Sequence, residues 1–222
     1  MILYHGSKEI IEYPQFGKGN PKNDYGLGFY CTESLELAKE WACSSNKENG
    51  FANVYEIDLN GLKILDLRDT QYSILNWMAI LLKFRTFDVN NPLAERAKEY
   101  LIENFYLDIK EFDLIIGYRA DDSYFSFAKD FINNSITTEQ LSQAMHLGEL
   151  GTQIVIKSEK AFNKLTYLKS ELADCKEYFL KRSARDNLAR EKYFTELRKM
   201  AADGLYMIDI IRKGVRNGDK II

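Results

Sequence analysis

Three short segments hold the residues whose types could act on a ligand. Leu3-Tyr4-His5-Gly6-Ser7 gathers an imidazole, a glycine and a hydroxyl. Gly26-Leu27-Gly28-Phe29-Tyr30-Cys31-Thr32 sets two aromatic side chains behind a pair of glycines, and Thr152-Gln153-Ile154-Val155-Ile156 opens a β-type run with an amide. Taken singly, each residue has an ordinary structural use. A histidine at a strand end hydrogen-bonds, and one tyrosine among fourteen packs in a core. Paired glycines make a bulge or turn, and a glutamine opening a strand is an edge polar group. Their order along the chain is what sets them apart. Several other chemistries have no residues to carry them. No Gly-Lys-Ser/Thr phosphate loop is present, and Gly-Leu-Gly-Phe-Tyr lacks the third glycine of a dinucleotide fingerprint. No His-x-x-x-His or Cys-x-x-Cys suggests a metal site. With only two histidines, His5 and His146, no Ser-His-Asp arrangement is arguable.

The elements that must position these residues follow from periodicity and punctuation. Ile2 to His5 reads as a short buried strand ended by Gly6, and Lys8 to Asp24 as a loop with Pro14, Gly17, Gly19 and Pro21. Gly26 to Thr32 is expected as a glycine-led strand. Ser34 is an N-cap for a helix whose Leu35, Ala38, Trp41 and Ala42 recur at helical spacing. Strands are expected over Asn53–Leu59, Lys63–Leu67, Asp113–Gly117 and Gln153–Ile156. Helices are expected over Gln71–Arg85, over Pro92–Phe105 with its proline in the first turn, and over Asp122–Ile132. A further helix starts at Thr137, where Thr137 and Gln140 fit a capping box, and Ser158 caps a short one.

Length and composition fit a domain of residues 1–168 with a helical C-terminal extension, 169–222. Residues 171–202 are charge-laden and helix-favouring, with Leu172, Tyr178, Phe179, Leu188, Tyr193, Phe194, Leu197 and Met200 as scattered anchors. The basic Lys181-Arg182, Arg185, Arg190, Lys192 and Arg198-Lys199 are residues that could touch phosphate, but they stand among acidic neighbours, so a solvated helix face is the expected reading. This stretch is also the expected surface for a regulatory partner. A net charge of −3 argues against a general nucleic-acid binder. Three cysteines without ligand spacing, no apolar run near ~20 residues and no signal peptide lead to the expectation of a cytoplasmic protein.

Together the three segments resemble the ADP-ribosyltransferase superfamily, on its poly-ADP-ribose-polymerase and diphtheria-toxin side, known for a His, Tyr, Glu triad on three strands. The closer resemblance is to a bacterial family of unknown function with that fold. It shares the opening Tyr-His-Gly-Ser, the Tyr-Gly-x-Gly-Phe-Tyr-x-Thr segment followed by Ala and Trp-Ala, a Gly-x-x-Ala-Asp-Asp segment at Gly117 to Asp122, and a last strand opened by Gln. The resemblance covers about residues 1–168. It implies an α+β fold, a split β-sandwich core with surrounding helices, and NAD as co-substrate without a metal. It implies that Gly6 presents its backbone to the nicotinamide amide, that His5 bonds the adenosine-side ribose, that Ser7 helps hold the nicotinamide and that Tyr30 stacks on its ring. Gly28, Phe29 and Thr32 belong to the same binding segment. A glycine at 6 lets the backbone approach a flat ligand.

The third position departs from the triad, since Gln153 stands where the glutamate is expected. An amide hydrogen-bonds a ribose hydroxyl but neither accepts a proton nor brings negative charge to an oxocarbenium-like centre. Three readings stay open: another acid, Asp121, Asp122 or Glu149, supplies the charge; the acceptor needs no base; or the domain binds NAD without turnover. The resemblance thus implies a mono-ADP-ribosyltransferase of a protein or nucleic-acid target, the toxin of a toxin–antitoxin or phage-defence system. Its alternative is a catalytically silent NAD-binding module.

Overall fold

The computed structural model describes residues 1–87, 91–120, 122–145, 152–199 and 204–219. Two sheets organise it. One has three antiparallel strands in the order β1 (Ile2–Ser7), β3 (Gly50–Ile57), β7 (Leu165–Ala173). The other runs β2 (Phe29–Cys31), β6 (Thr152–Ile156), β5 (Leu114–Tyr118), β4 (Ile64–Asp66); its β4–β5 pair is parallel and the rest antiparallel. The fold is mixed α+β, with two sheets that do not close.

A single bridge links the sheets, where Tyr4 and Thr32 exchange backbone hydrogen bonds of 2.8 and 2.9 Å. His5, next to Tyr4, and Tyr30, two residues before Thr32, lie beside this bridge. Beyond the bridge the sheets close over Leu3, Cys31, Ile57, Leu114, Ile116, Ile154 and Ile156, all buried.

The parallel β4–β5 pair needs a long crossover, and two helices supply it: α2 (Ile74–Phe84) and α3 (Pro92–Phe105). Residues Leu75 to Leu82 of α2 are buried without a break, so this helix is enclosed on every side rather than amphipathic. Around it lie α4 (Asp122–Ile132), α5 (Thr138–Ala144) and α8 (Met207–Lys213). Local chemistry starts these helices as expected. Asn91 accepts from Ala94 N at 2.8 Å ahead of Pro92, and Thr137 and Gln140 form their reciprocal box at 3.3 and 2.9 Å. Ser34 Oγ likewise caps α1 (Leu35–Ala42), accepting from Leu37 N at 3.3 Å.

Three expected elements differ. The first strand does not stop at Gly6: β1 pairs with β3 through Gly6 and Ser7. The segment 26–28 is a turn, not strand, and Gly26 takes φ +72°. The boundary expected after residue 168 falls inside β7, and residues 169–173 are strand rather than the start of a helical extension. Pairing with β3 at eight positions outweighs local helix preference there. The helical part is α7 (Cys175–Lys199), one helix of 25 residues. Its contacts are with the body: Tyr178, Ala189 and Tyr193 are buried, whereas Leu188 and Phe194, expected as anchors, are exposed. Met200 lies outside the described residues, and α6 (Glu159–Phe162) follows its Ser158 cap. Among the described residues no helix is long and apolar enough to cross a membrane.

Candidate functional site

His5 leaves β1 with its ring against β2. Its Nδ1 lies 2.7 Å from the Tyr30 carbonyl oxygen, which can only accept, so Nδ1 carries the proton. Burial lowers the pKa of the ring below the ordinary 6.5, partly offset by that hydrogen bond. The neutral ring then has Nε2 as an acceptor. Phe29 stacks on the imidazole with centroids 4.2 Å apart, fixing its plane.

Tyr30 is held just as firmly. Its hydroxyl donates to Gly26 O and accepts from Tyr25 N at 3.2 Å. Burial raises its pKa, so the phenol stays protonated. The hydroxyl thus closes the turn before β2, and the ring is what faces the cleft. Lys157 ties the same turn from outside: its Nζ donates to Tyr25 O at 2.7 Å and to Leu27 O, with its pKa lowered to about 8 by burial.

Gln153 sits on β6 opposite Gly117 of β5. It is 6% exposed, and its Oε1 has no hydrogen-bond partner. On α1, the indole Nε1 of Trp41 is also buried and unpartnered. Buried polar atoms are almost always bonded, so these two are exceptions to the rule.

Both residues line one cavity of about 280 Å³, together with His5, Gly6 and Tyr30. Its remaining wall is charged: Asp24, Arg85, Arg119 and Arg182. Asp24 accepts from Ala120 N at 2.9 Å and lies 3.6 Å from Arg85 Nε. Arg119 lies over the Trp41 ring, 4.2 Å from its centroid. A larger compartment of about 920 Å³ adjoins, sharing His5, Asn23 and Tyr30. Gly28, Phe29 and the loop 9–19, with Tyr13 and Pro14, form its walls. Asn53, fully buried, fixes the start of that loop: Nδ2 donates to Ser7 Oγ at 2.9 Å and Glu9 O at 3.2 Å, and Oδ1 accepts from Ile11 N at 2.9 Å.

Of the residues expected from sequence, His5, Gly6, Tyr30 and Gln153 come together on the smaller cavity. Gly28 and Phe29 line the larger one. Ser7 and Thr32 line neither: Ser7 Oγ donates to Glu9 O at 2.5 Å, and Thr32, buried, accepts from Ser34 N at 3.2 Å. Ser7 therefore anchors the loop rather than meeting a ligand in the cavity. The reason for glycine at 6 also differs. A Cβ there would stand 2.1 Å from Ala38 O and 2.8 Å from Ala42 N, so the backbone of α1 excludes a side chain. At Gly28 the neighbours are Val155 Cγ1 at 2.6 Å and Ile156 O at 3.0 Å. Asp121 and Glu149 lie outside the described residues; Asp122 opens α4, but its side chain lies outside them too.

Sequence reasoning missed Asp24, Trp41, Asn53, Arg85, Arg119 and Arg182. Trp41 reads as one more apolar position of α1, and only the position of its indole nitrogen separates it from core. Asn23-Asp24 ahead of Tyr25-Gly26 offered a signal, a polar pair at the mouth of the glycine turn. The arginine face on α7, expected to be solvated, in fact turns Arg182 and Arg185 toward the body: Arg185 forks onto Glu40, 3% exposed, at 2.9 and 2.8 Å. Among the described residues no group of three or more His, Cys, Asp or Glu could hold a metal ion.

Residues 1–167 match the family described as "Protein of unknown function (DUF3990)". Neither the curated proteins nor the solved structures give a match to the chain.

Proposed function

We propose that this chain, which belongs to the DUF3990 family of proteins of unknown function, is an NAD-dependent mono-ADP-ribosyltransferase built on an ADP-ribosyltransferase-like split β-sandwich. The observation that carries the reading is the meeting of His5, Gly6, Tyr30 and Gln153, from three strands, around one cavity. The two compartments, about 280 and 920 Å³, fall near the range of ligand clefts, roughly 300–1,000 Å³.

Each group suits a part of the dinucleotide. Neutral His5 offers Nε2 to a ribose hydroxyl. The Tyr30 ring, held by its own backbone bonds, is a rigid flat wall for a pyridine. Gln153, on the same wall, brings an amide of the type that hydrogen-bonds a ribose hydroxyl. In transfer, the bond between nicotinamide nitrogen and anomeric carbon breaks, nicotinamide leaves with the electron pair, and the acceptor's nucleophile bonds to that carbon and releases its proton. Positioning accounts for much of such a reaction, and charge stabilisation for much of the remainder. Gln153 orients without contributing negative charge. Among the described residues lining the smaller cavity the carboxylate is Asp24, the first to substitute in asking where that charge comes from.

Incubating the full chain with labelled NAD and a cell lysate tests the proposal. Label on protein or nucleic acid with release of nicotinamide, lost in His5→Ala and Tyr30→Ala, is the expected result, and mass spectrometry of the labelled fraction identifies the acceptor. NAD binding with neither label nor free nicotinamide supports the second reading, a silent NAD-binding module, which the uncharged Gln153 favours. No NAD binding ends both.

A further inference from the structure

Among the described residues the three-stranded sheet ends at β7: one side of that strand pairs with β3, and no strand follows on the other. Such an edge carries alternate N–H and C=O groups outside any ladder, a ready template for another strand. Edges are commonly guarded by charge, and β7 has Lys169, its side chain 63% exposed. The residues beside the lysine are not those of a guarded edge. Leu168 and Leu172, 48% and 57% exposed, are two large apolar side chains that the rest of the chain leaves uncovered. Leu172 pairs with Phe51 of β3, whereas Leu168 has no partner there, because the register shifts between Val54 and Tyr55.

The order Leu168-Lys169-Ser170-Glu171-Leu172 is the same pattern in both directions, except that one half holds a base and the other an acid. Two copies of this strand, paired antiparallel about a two-fold axis at Ser170, set Lys169 of each opposite Glu171 of the other and Leu168 opposite Leu172. Directly opposed side chains stabilise an antiparallel pair when they are apolar or of opposite charge. Moving the axis by one residue sets Lys169 against Lys169 or Glu171 against Glu171, and like charges so placed are destabilising. The lysine therefore discriminates against other registers and admits this one. Within one chain Lys169 Nζ already lies 2.7 Å from Glu171, and Lys39 Nζ of α1 lies 3.1 Å from the same carboxylate. A second copy extends the Lys169–Glu171 pair into a square of four charges with opposite signs adjacent.

We infer that β7 is the seam of a homodimer, in which two three-stranded sheets join edge to edge into one continuous antiparallel sheet. The seam is isologous, the same strand meeting itself, so it closes at two copies. It does not depend on the function proposed above.

Sedimentation equilibrium of the full chain tests it. Wild type should pass from monomer to dimer within about 1–500 µM, and association should weaken as salt rises. Lys169→Glu sets Glu against Glu across the seam, and Glu171→Lys sets Lys against Lys. Each should weaken self-association by about tenfold or more. Mixed in equal amounts, the two variants should associate again, because every opposed pair is then Glu with Lys. Circular dichroism shows whether each variant is folded. Where one is not, Leu172→Ser takes its place and should weaken the dimer by about tenfold. A wild-type chain that stays monomeric over that range overturns the inference. So does a dimer left undiminished by a folded Lys169→Glu, Glu171→Lys or Leu172→Ser. Two folded charge variants whose mixture stays monomeric overturn it as well.

Discussion

The cap of α2 and the start of β6 each bury an amide side chain, and the surroundings of the two are opposite. Asn76, with no exposure, accepts from Ser73 N at 2.9 Å and donates to Phe105 O at 2.9 Å and Asn217 Oδ1 at 3.0 Å. Asn53 is met in the same complete way by the loop after β1. Gln153, nearly as buried, has an oxygen that meets nothing. Asn76 and Asn53 hold chain segments together, and the polypeptide supplies every partner. Gln153 lines the cavity, and among the described residues no group meets its oxygen. Leaving a buried acceptor open costs stability, on the order of 1–3 kcal/mol. That contrast sets Gln153 apart from the two amides that hold the chain together.

The contrast can be broken most decisively at Gln153 itself. Gln153→Leu removes the open acceptor and keeps the volume, so transfer should fall by about 100-fold, the scale of losing one positioned polar contact. Thermal stability should hold or rise, because an orphaned polar atom is gone. Nicotinamide release and a melting curve on the same preparation check both; retained activity would place Gln153 with the structural amides. Asn76→Ala should behave in the reverse sense. It strands Phe105 O and Ser73 N, and a loss of about 3 kcal/mol in urea unfolding is expected. A loss below about 1 kcal/mol would mean the α2 network contributes less than its geometry suggests.

Gly6→Ala sharpens the comparison from within the cavity. Its new Cβ would lie 2.1 Å from Ala38 O, so α1 must shift from β1, at about 2 kcal/mol of overpacking. Activity and the urea midpoint should therefore fall together, unlike at Gln153. The smallest effect is expected at His5. Burial holds its folded pKa below 6.5, so the fold prefers the neutral ring. That contribution is complete above pH 6.5 and is lost as pH falls through the lower folded value. His5→Gln should flatten the acid side of a stability-against-pH curve and leave the alkaline side unchanged; a variant curve parallel to wild type would show that the ring does not titrate with folding.

Much of the architecture was legible. Pro92–Phe105 and Asp122–Ile132 are helices over the expected residues, and the Ser34, Thr137 and Ser158 caps act as their residue types suggest. These are local effects, decided within one turn of chain. The strand β7 was not legible. Leu168, Lys169 and Glu171 look like a charged amphipathic helix, and they do so because β7 is an edge strand with much of its surface in solvent. The arginines of α7 were hidden for a similar reason. Charge spacing along a helix shows that Arg182 and Arg185 share a face, but not that the face meets Glu40 and a cavity.

The order of the three segments, the residue types they bring, the helix caps and the absence of a phosphate loop were settled by the amino-acid sequence alone, because each is a matter of a few adjacent residues. The bond that sets His5 against Tyr30, the α1 backbone that makes glycine necessary at 6, the open oxygen of Gln153 and the entry of Arg182 into the wall were decided only by the tertiary structure. Each depends on strands and helices distant in sequence being brought within a few ångströms, and no local preference of the chain specifies that approach.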